Sequence, residues 1–95
     1  MCRSRGIYSD HVSWEDRSER VDRGAARFVW QQIADDLAAD IDSGELRGRL
    51  PAEAALAEVY GVARNTIRRA VVDLVTRGLV TVLHGRGTFV VKRDQ

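Results

Sequence analysis

Apolar residues at Ile67, Ala70, Val71 and Leu74 recur at spacing i, i+3, i+4, i+7, which predicts a helix with one buried stripe. It begins near Arg64 and ends before Gly78, a residue suited to the left-handed turn that closes a helix. A longer stripe at Trp30, Ile33, Ala34, Leu37, Ala38 and Ile41 predicts a first helix from about Ala25, ended by Ser43 and Gly44. Between the two, Leu50 and Pro51 set up a second helix, with Pro51 pre-organised at its opening turn and Leu56, Ala57 and Tyr60 as its buried edge. Gly61 permits the positive φ of a tight turn into the third helix, and Val62 plugs it. After Gly78 the period changes. Residues 79–83 are apolar and β-branched, His84-Gly85-Arg86-Gly87 interrupts them, and residues 88–91 are again strand-like, which predicts a β-hairpin.

This order predicts a mainly α fold with a small β-hairpin: a winged helix-turn-helix of three helices plus a wing. Residues 1–24 show no sustained period of 2 or 3.6. They are expected to be a disordered leader ahead of a domain spanning 25–95, so that a chain starting near Ala25 keeps its fold and its DNA affinity. The alternative for this segment is a short extra helix from about Ser13 to Val21 with Trp14 docked on the domain.

Ninety-five residues with one proline and 44% hydrophobic content suit one small domain. No apolar run approaches the roughly 18 to 20 residues of a membrane span, and the N-terminal segment is too charged for a secretion signal. The expected location is cytoplasmic. Cys2 lacks an intrachain partner, so neither a disulfide framework nor a cysteine metal site is expected. Asp35 and Asp36 are sequence neighbours, which point about 100° apart on a helix, and no His or Cys is near them; a solvated acidic face is the expected reading. The two histidines, His11 and His84, lie far apart, and no nucleophile, base and orienting group can be assembled around either. The chain is therefore not expected to be an enzyme, to bind a metal or to require a cofactor.

The net charge of +1 conceals an uneven distribution. Residues 1–26 carry five arginines and five acids, residues 27–63 three arginines and seven acids, and residues 64–95 seven bases and two acids. An acidic middle followed by a basic end suits a molecule with one face for a polyanion. Arg64, Asn65, Arg68 and Arg69 fall outside the buried stripe of the third helix, and guanidiniums and an amide at a helix's N-terminal end suit base edges and phosphates in a major groove. Arg86, between Gly85 and Gly87, has reach into a groove or onto phosphate. The expected partner is double-stranded DNA. The competing reading is a winged-helix protein-interaction module in which these arginines form a solvated face.

The run RLPAEAALAEVYGVARNTIRRAVVDLVTRGLVTVLHGRGTFV, preceded by QQIADDLAADIDSGEL, resembles the DNA-binding domain of the GntR, or gluconate-repressor type, transcriptional regulators over about residues 27–91. LPAE at the second helix, YGV in the turn, R-x-T-x-R-R in the third helix and GRGTFV in the wing occur in order at the expected spacing. The resemblance implies a bacterial, repressor-like regulator that reads a palindromic operator as a homodimer. It also implies that Arg64, Thr66 and Arg68 contact bases or phosphates, that Asn65 reads adenine or bonds phosphate, and that His84, Gly85 and Arg86 are the wing's contacts. The chain departs from the family pattern at Ala54, where an arginine is common, and at Val82 and Leu83, often basic. A C-terminal domain for a small-molecule effector is not visible in these residues.

Overall fold

The computed structural model describes residues 7–9 and 12–91, with side chains from Trp14 onward. Cys2 and His11 lie outside the described residues. Two short strands, β1 (Ile7–Ser9) and β2 (Val12–Trp14), pair antiparallel and lead into a single 3-10 turn at Ser18–Arg20. Three helices follow: α1 (Val29–Ser43), α2 (Glu53–Tyr60) and α3 (Arg64–Thr76). The wing closes the domain, with β3 (Val80–Leu83) antiparallel to β4 (Gly87–Val90) in the register Val80↔Val90 to Leu83↔Gly87.

The helices form where the apolar stripes require them. Ile33, Leu37 and Ile41 of α1 meet Leu56 and Tyr60 of α2 and Ile67 and Leu74 of α3 in one core, which Leu46 and Leu50 of the intervening loop complete. Each fully buried Leu or Ile side chain contributes about 1.5–3 kcal/mol by leaving water. Gly44 and Gly61 stop α1 and α2 in the left-handed conformation, at φ 85° and 70°, where a side-chain-bearing residue is strained. The wing gains a partial third strand: Leu50 N–H donates to the Thr88 carbonyl at 2.8 Å and Val90 N–H to that of Gly48 at 2.7 Å. The loop before α2 is thereby tied to the hairpin.

Three expectations need correction at element boundaries. The first helix starts at Val29, not near Ala25, with Phe28 extended and its N–H bonded to the Gln31 side chain at 3.2 Å. Pro51 lies ahead of α2, whose N-cap is Ala52; its fixed φ serves the extended approach as well as it would a first turn. The third difference concerns the leader. Trp14 is only 2% exposed and Arg17 6%, so residues 14–24 pack on the helices, and the helix considered for residues 13–21 is reduced to the 3-10 turn at Ser18–Arg20.

Asp36, expected on a solvated face, and Asp40, one turn further along α1, answer Arg17. Its Nη1 donates to Asp36 Oδ2 at 2.9 Å and to the Tyr60 hydroxyl at 3.0 Å. Asp40 Oδ2, 3.0 Å from the same nitrogen, lacks hydrogen-bond alignment, so that contact is coulombic. The guanidinium also lies over the Trp14 ring at 4.5 Å. Burial works against its charge, yet these partners outweigh burial and hold its pKa above the ordinary value. Tyr60 donates to Asp36 at 2.6 Å, and burial, reinforced by that carboxylate, pushes its pKa well up.

Helix α3 lacks a side-chain cap. Ala63 is its N-cap at φ −73° and ψ 155°, a conformation in which a hydroxyl would reach the Thr66 N–H, and the residue is exposed. Ala63→Ser is expected to stabilise the protein by about 0.5–2 kcal/mol. A thermal melt checks this: an unchanged or lowered midpoint would show that the site has no room for the bond.

Candidate nucleic-acid interface

Helix α3 buries Ile67, Ala70, Val71 and Leu74, and this fixes which way its remaining side chains point. Arg64, Asn65, Arg68 and Arg69 are exposed around its N-terminal half, whereas Thr66 is half-buried and donates its backbone N–H to Ala63. Five predicted positions thus share one helix end, four of them open to solvent. At the hairpin, Arg86 N–H donates to Leu83 O at 2.9 Å, closing a turn that leaves His84, Gly85 and Arg86 exposed. Positive φ values of 79° at Gly85 and 116° at Gly87 make this turn possible. Arg64, His84 and Gly85 line one cleft between α3 and the wing, so residues twenty positions apart in sequence come together there.

Four residues that sequence reasoning missed belong to this surface. Glu53, the first residue of α2, accepts from Arg68 Nη2 at 3.1 Å and from its Nε at 3.3 Å, and Arg64 Nη2 stands 3.8 Å away. The carboxylate raises the Arg68 pKa and orients its guanidinium. Arg69 lies over the Trp30 ring at 5.0 Å, and Trp30 stacks on Phe28 at 6.1 Å, so two aromatic rings at the start of α1 hold a third arginine of α3. Phe28 itself is 67% exposed. Arg49 packs beneath the wing: a Cβ on Gly87 would meet its Nε at 2.9 Å. Trp30 belongs to the stripe of α1 and Glu53 to the LPAE run, but no spacing pairs either with α3; only the packing of α1, α2 and the wing around α3 brings these residues near.

Elsewhere Asp35 of α1 accepts from Arg27 and, at 2.7 Å, from Arg77 at the C-terminal end of α3. The Arg77 and Arg27 bonds hold its carboxyl below the usual range. Among the described residues no group of three or more potential metal ligands occurs, and no helix is long and apolar enough to cross a membrane.

Residues 30–90 match the family described as bacterial regulatory proteins, gntR family. The chain belongs to that family. The HTH-type transcriptional repressor NagR of Bacillus subtilis is 44% identical over 66 residues, covering 67% of this chain and 27% of NagR. Its GntR fold is shared with YtrA of Sulfolobus acidocaldarius, a GntR-family transcription factor, at a TM-score of 0.68 and 31% identity over 79% of this chain and 80% of that one. The DNA-binding domain of AraR in complex with operator ORX1 aligns at a TM-score of 0.62 and 38% identity, over 65% of this chain and 77% of that one. This GntR chain spans about a third or less of the length of the curated relatives it matches.

Proposed function

We propose that this GntR-family domain binds double-stranded DNA sequence-specifically as part of a transcriptional regulator, a repressor that reads a palindromic operator as a homodimer in the cytoplasm, with no enzymatic activity. The observation that carries the reading is the convergence of Arg64, His84 and Gly85 on one open cleft, whose Glu53 also bonds Arg68, in a domain whose relative AraR is solved on its operator. Arg64, Asn65, Thr66 and Arg68 would enter the major groove. Arg69, steadied by Trp30, would meet the flanking phosphates, and His84, Gly85 and Arg86 would reach phosphate or the minor groove beside them.

The test separates reading from sticking. A duplex selected by the wild-type protein from a randomised pool, and a scrambled version of it, are titrated across a salt series. Arg64→Ala is expected to cost about 1–3 kcal/mol on the selected duplex and to relax preference at one base pair. Arg86→Ala should weaken both duplexes alike and reduce the salt slope by about one unit. Equal losses on both duplexes for Arg64→Ala would remove that residue from base readout. If neither variant changes either affinity, the DNA-binding reading fails and a protein-interaction module takes its place.

Glu53 sharpens the same assay. Its carboxylate stands among the arginines that would face phosphate and repels the polyanion, while holding Arg68 in one geometry. Glu53→Gln is expected to tighten binding to the scrambled duplex and to narrow the ratio between the two, with the specific affinity changing least. A ratio that stays constant would show that Glu53 only supports α2.

A further inference from the structure

The family match begins at Trp30, yet the chain before it is built into the DNA-binding unit. The backbone of Arg17 donates to the Val59 carbonyl at 2.7 Å, near the end of α2. Asp22 exchanges two bonds with Gln32 of α1, its N–H to Oε1 at 2.8 Å and its carbonyl from Nε2 at 2.9 Å. Arg23 Nη2 then reaches the Gly61 carbonyl at 2.6 Å, and Ser18 lies so close to Gly61 that a Cβ there would come within 3.2 Å of it. The segment therefore grips α1 with one side and the α2–α3 turn with the other.

That turn has three residues, Gly61 to Ala63, of which Gly61 is left-handed at φ 70° and ψ 38°. Its dihedrals set the angle at which α3 leaves α2. A 13-residue helix is about 20 Å long at 1.5 Å per residue, so a small rotation at the turn displaces its side chains by ångströms. Recognition tolerates only about 0.5 Å of misplacement.

We propose that residues 14–24 form a positioning strap for the helix-turn-helix, in which Arg23 fixes the Gly61 carbonyl and so sets the presentation of α3 to DNA. The inference rests on the DNA-binding reading for its functional consequence, but not for the strap's hold on the turn. Arg23 is a positioning residue: its guanidinium is engaged by the protein's own backbone.

The experiment uses the full chain carrying Arg23→Gln, with Arg23→Lys as the conservative variant, on the selected and scrambled duplexes described above. Arg23 is exposed, so both variants should fold. Arg23→Gln is expected to weaken the selected duplex about three- to tenfold, the range one hydrogen bond spans, with an unchanged salt slope, and Arg23→Lys should recover part of the loss. In the DNA-free protein, amide exchange at Val62 and Ala63 should quicken. A salt slope reduced by about one unit would make Arg23 a phosphate contact and overturn the proposal. So would unchanged affinity, or unchanged exchange at the turn. If the wild-type protein selects no duplex while exchange still quickens in the variant, the DNA-binding reading fails and the strap's hold on the turn stands.

Discussion

Trp14→Ala is expected to lower the unfolding free energy by about 3–5 kcal/mol, the cost of truncating a large buried aromatic side chain. The ring is 2% exposed, packs in the same core as the helices and lies under the Arg17 guanidinium, so its removal opens a cavity and strips a cation–π partner together. For a domain of this size, where total stability is at the low end of about 5–15 kcal/mol, the variant should be partly unfolded at room temperature. Urea titration measures the loss. Trp14→Phe provides the control: the indole N–H has no hydrogen-bond partner among the described residues, so phenylalanine keeps the ring face over Arg17 and should retain most of the stability. A loss below about 1 kcal/mol for the alanine variant would return residues 14–24 to the status of an appendage. Removing residues 1–24 outright should cost at least as much as Trp14→Ala, contrary to what the absence of periodicity suggests.

The reason that segment was illegible is physical. Helices α1 and α3 announce themselves because a 3.6-residue stripe and its terminating glycine are local, and the wing because two strand-like runs flank a glycine-spaced tip. Residues 14–24 have no such repeat. Their order comes from one indole, the guanidiniums of Arg17, Arg20 and Arg23 and a handful of backbone bonds, whose partners Asp36, Val59, Tyr60 and Gly61 lie 16 to 43 residues away in sequence. The same limit explains Glu53. The motif that contains it marked the start of α2, but only the crossing of α2 and α3 brings its carboxylate to Arg68. Arginines 64 and 68 were legible as exposed because the buried stripe fixes the opposite face; their ion pair was not, because charge partners across two helices leave no spacing signal.

Arg17→Met should be the other severe substitution, costing about 3–5 kcal/mol although methionine fills much of the stem's volume between Trp14 and Tyr60. Asp36 and Asp40, 23% and 18% exposed, would be left facing each other across a place where a positive charge had stood, and breaking a buried pair from one side leaves the uncompensated charge to be borne by the fold. Arg20, which bonds Asp36 from the surface at 2.9 Å, reaches only one of the two. The double variant Arg17→Met/Asp40→Asn should therefore recover part of the loss. Urea titrations of the wild type, the two single variants and the double variant form a cycle, and additive losses would show that Arg17 and Asp40 are not coupled. Tyr60 offers a second handle on the same cluster. Its folded-state pKa is raised by burial and by Asp36, so the stability it brings is complete below its unfolded value of about 10 and drains away as pH climbs past it. Alkaline melts of the wild type should show this decline, and Tyr60→Phe should flatten it; an identical slope in both would place the alkaline transition elsewhere in the protein.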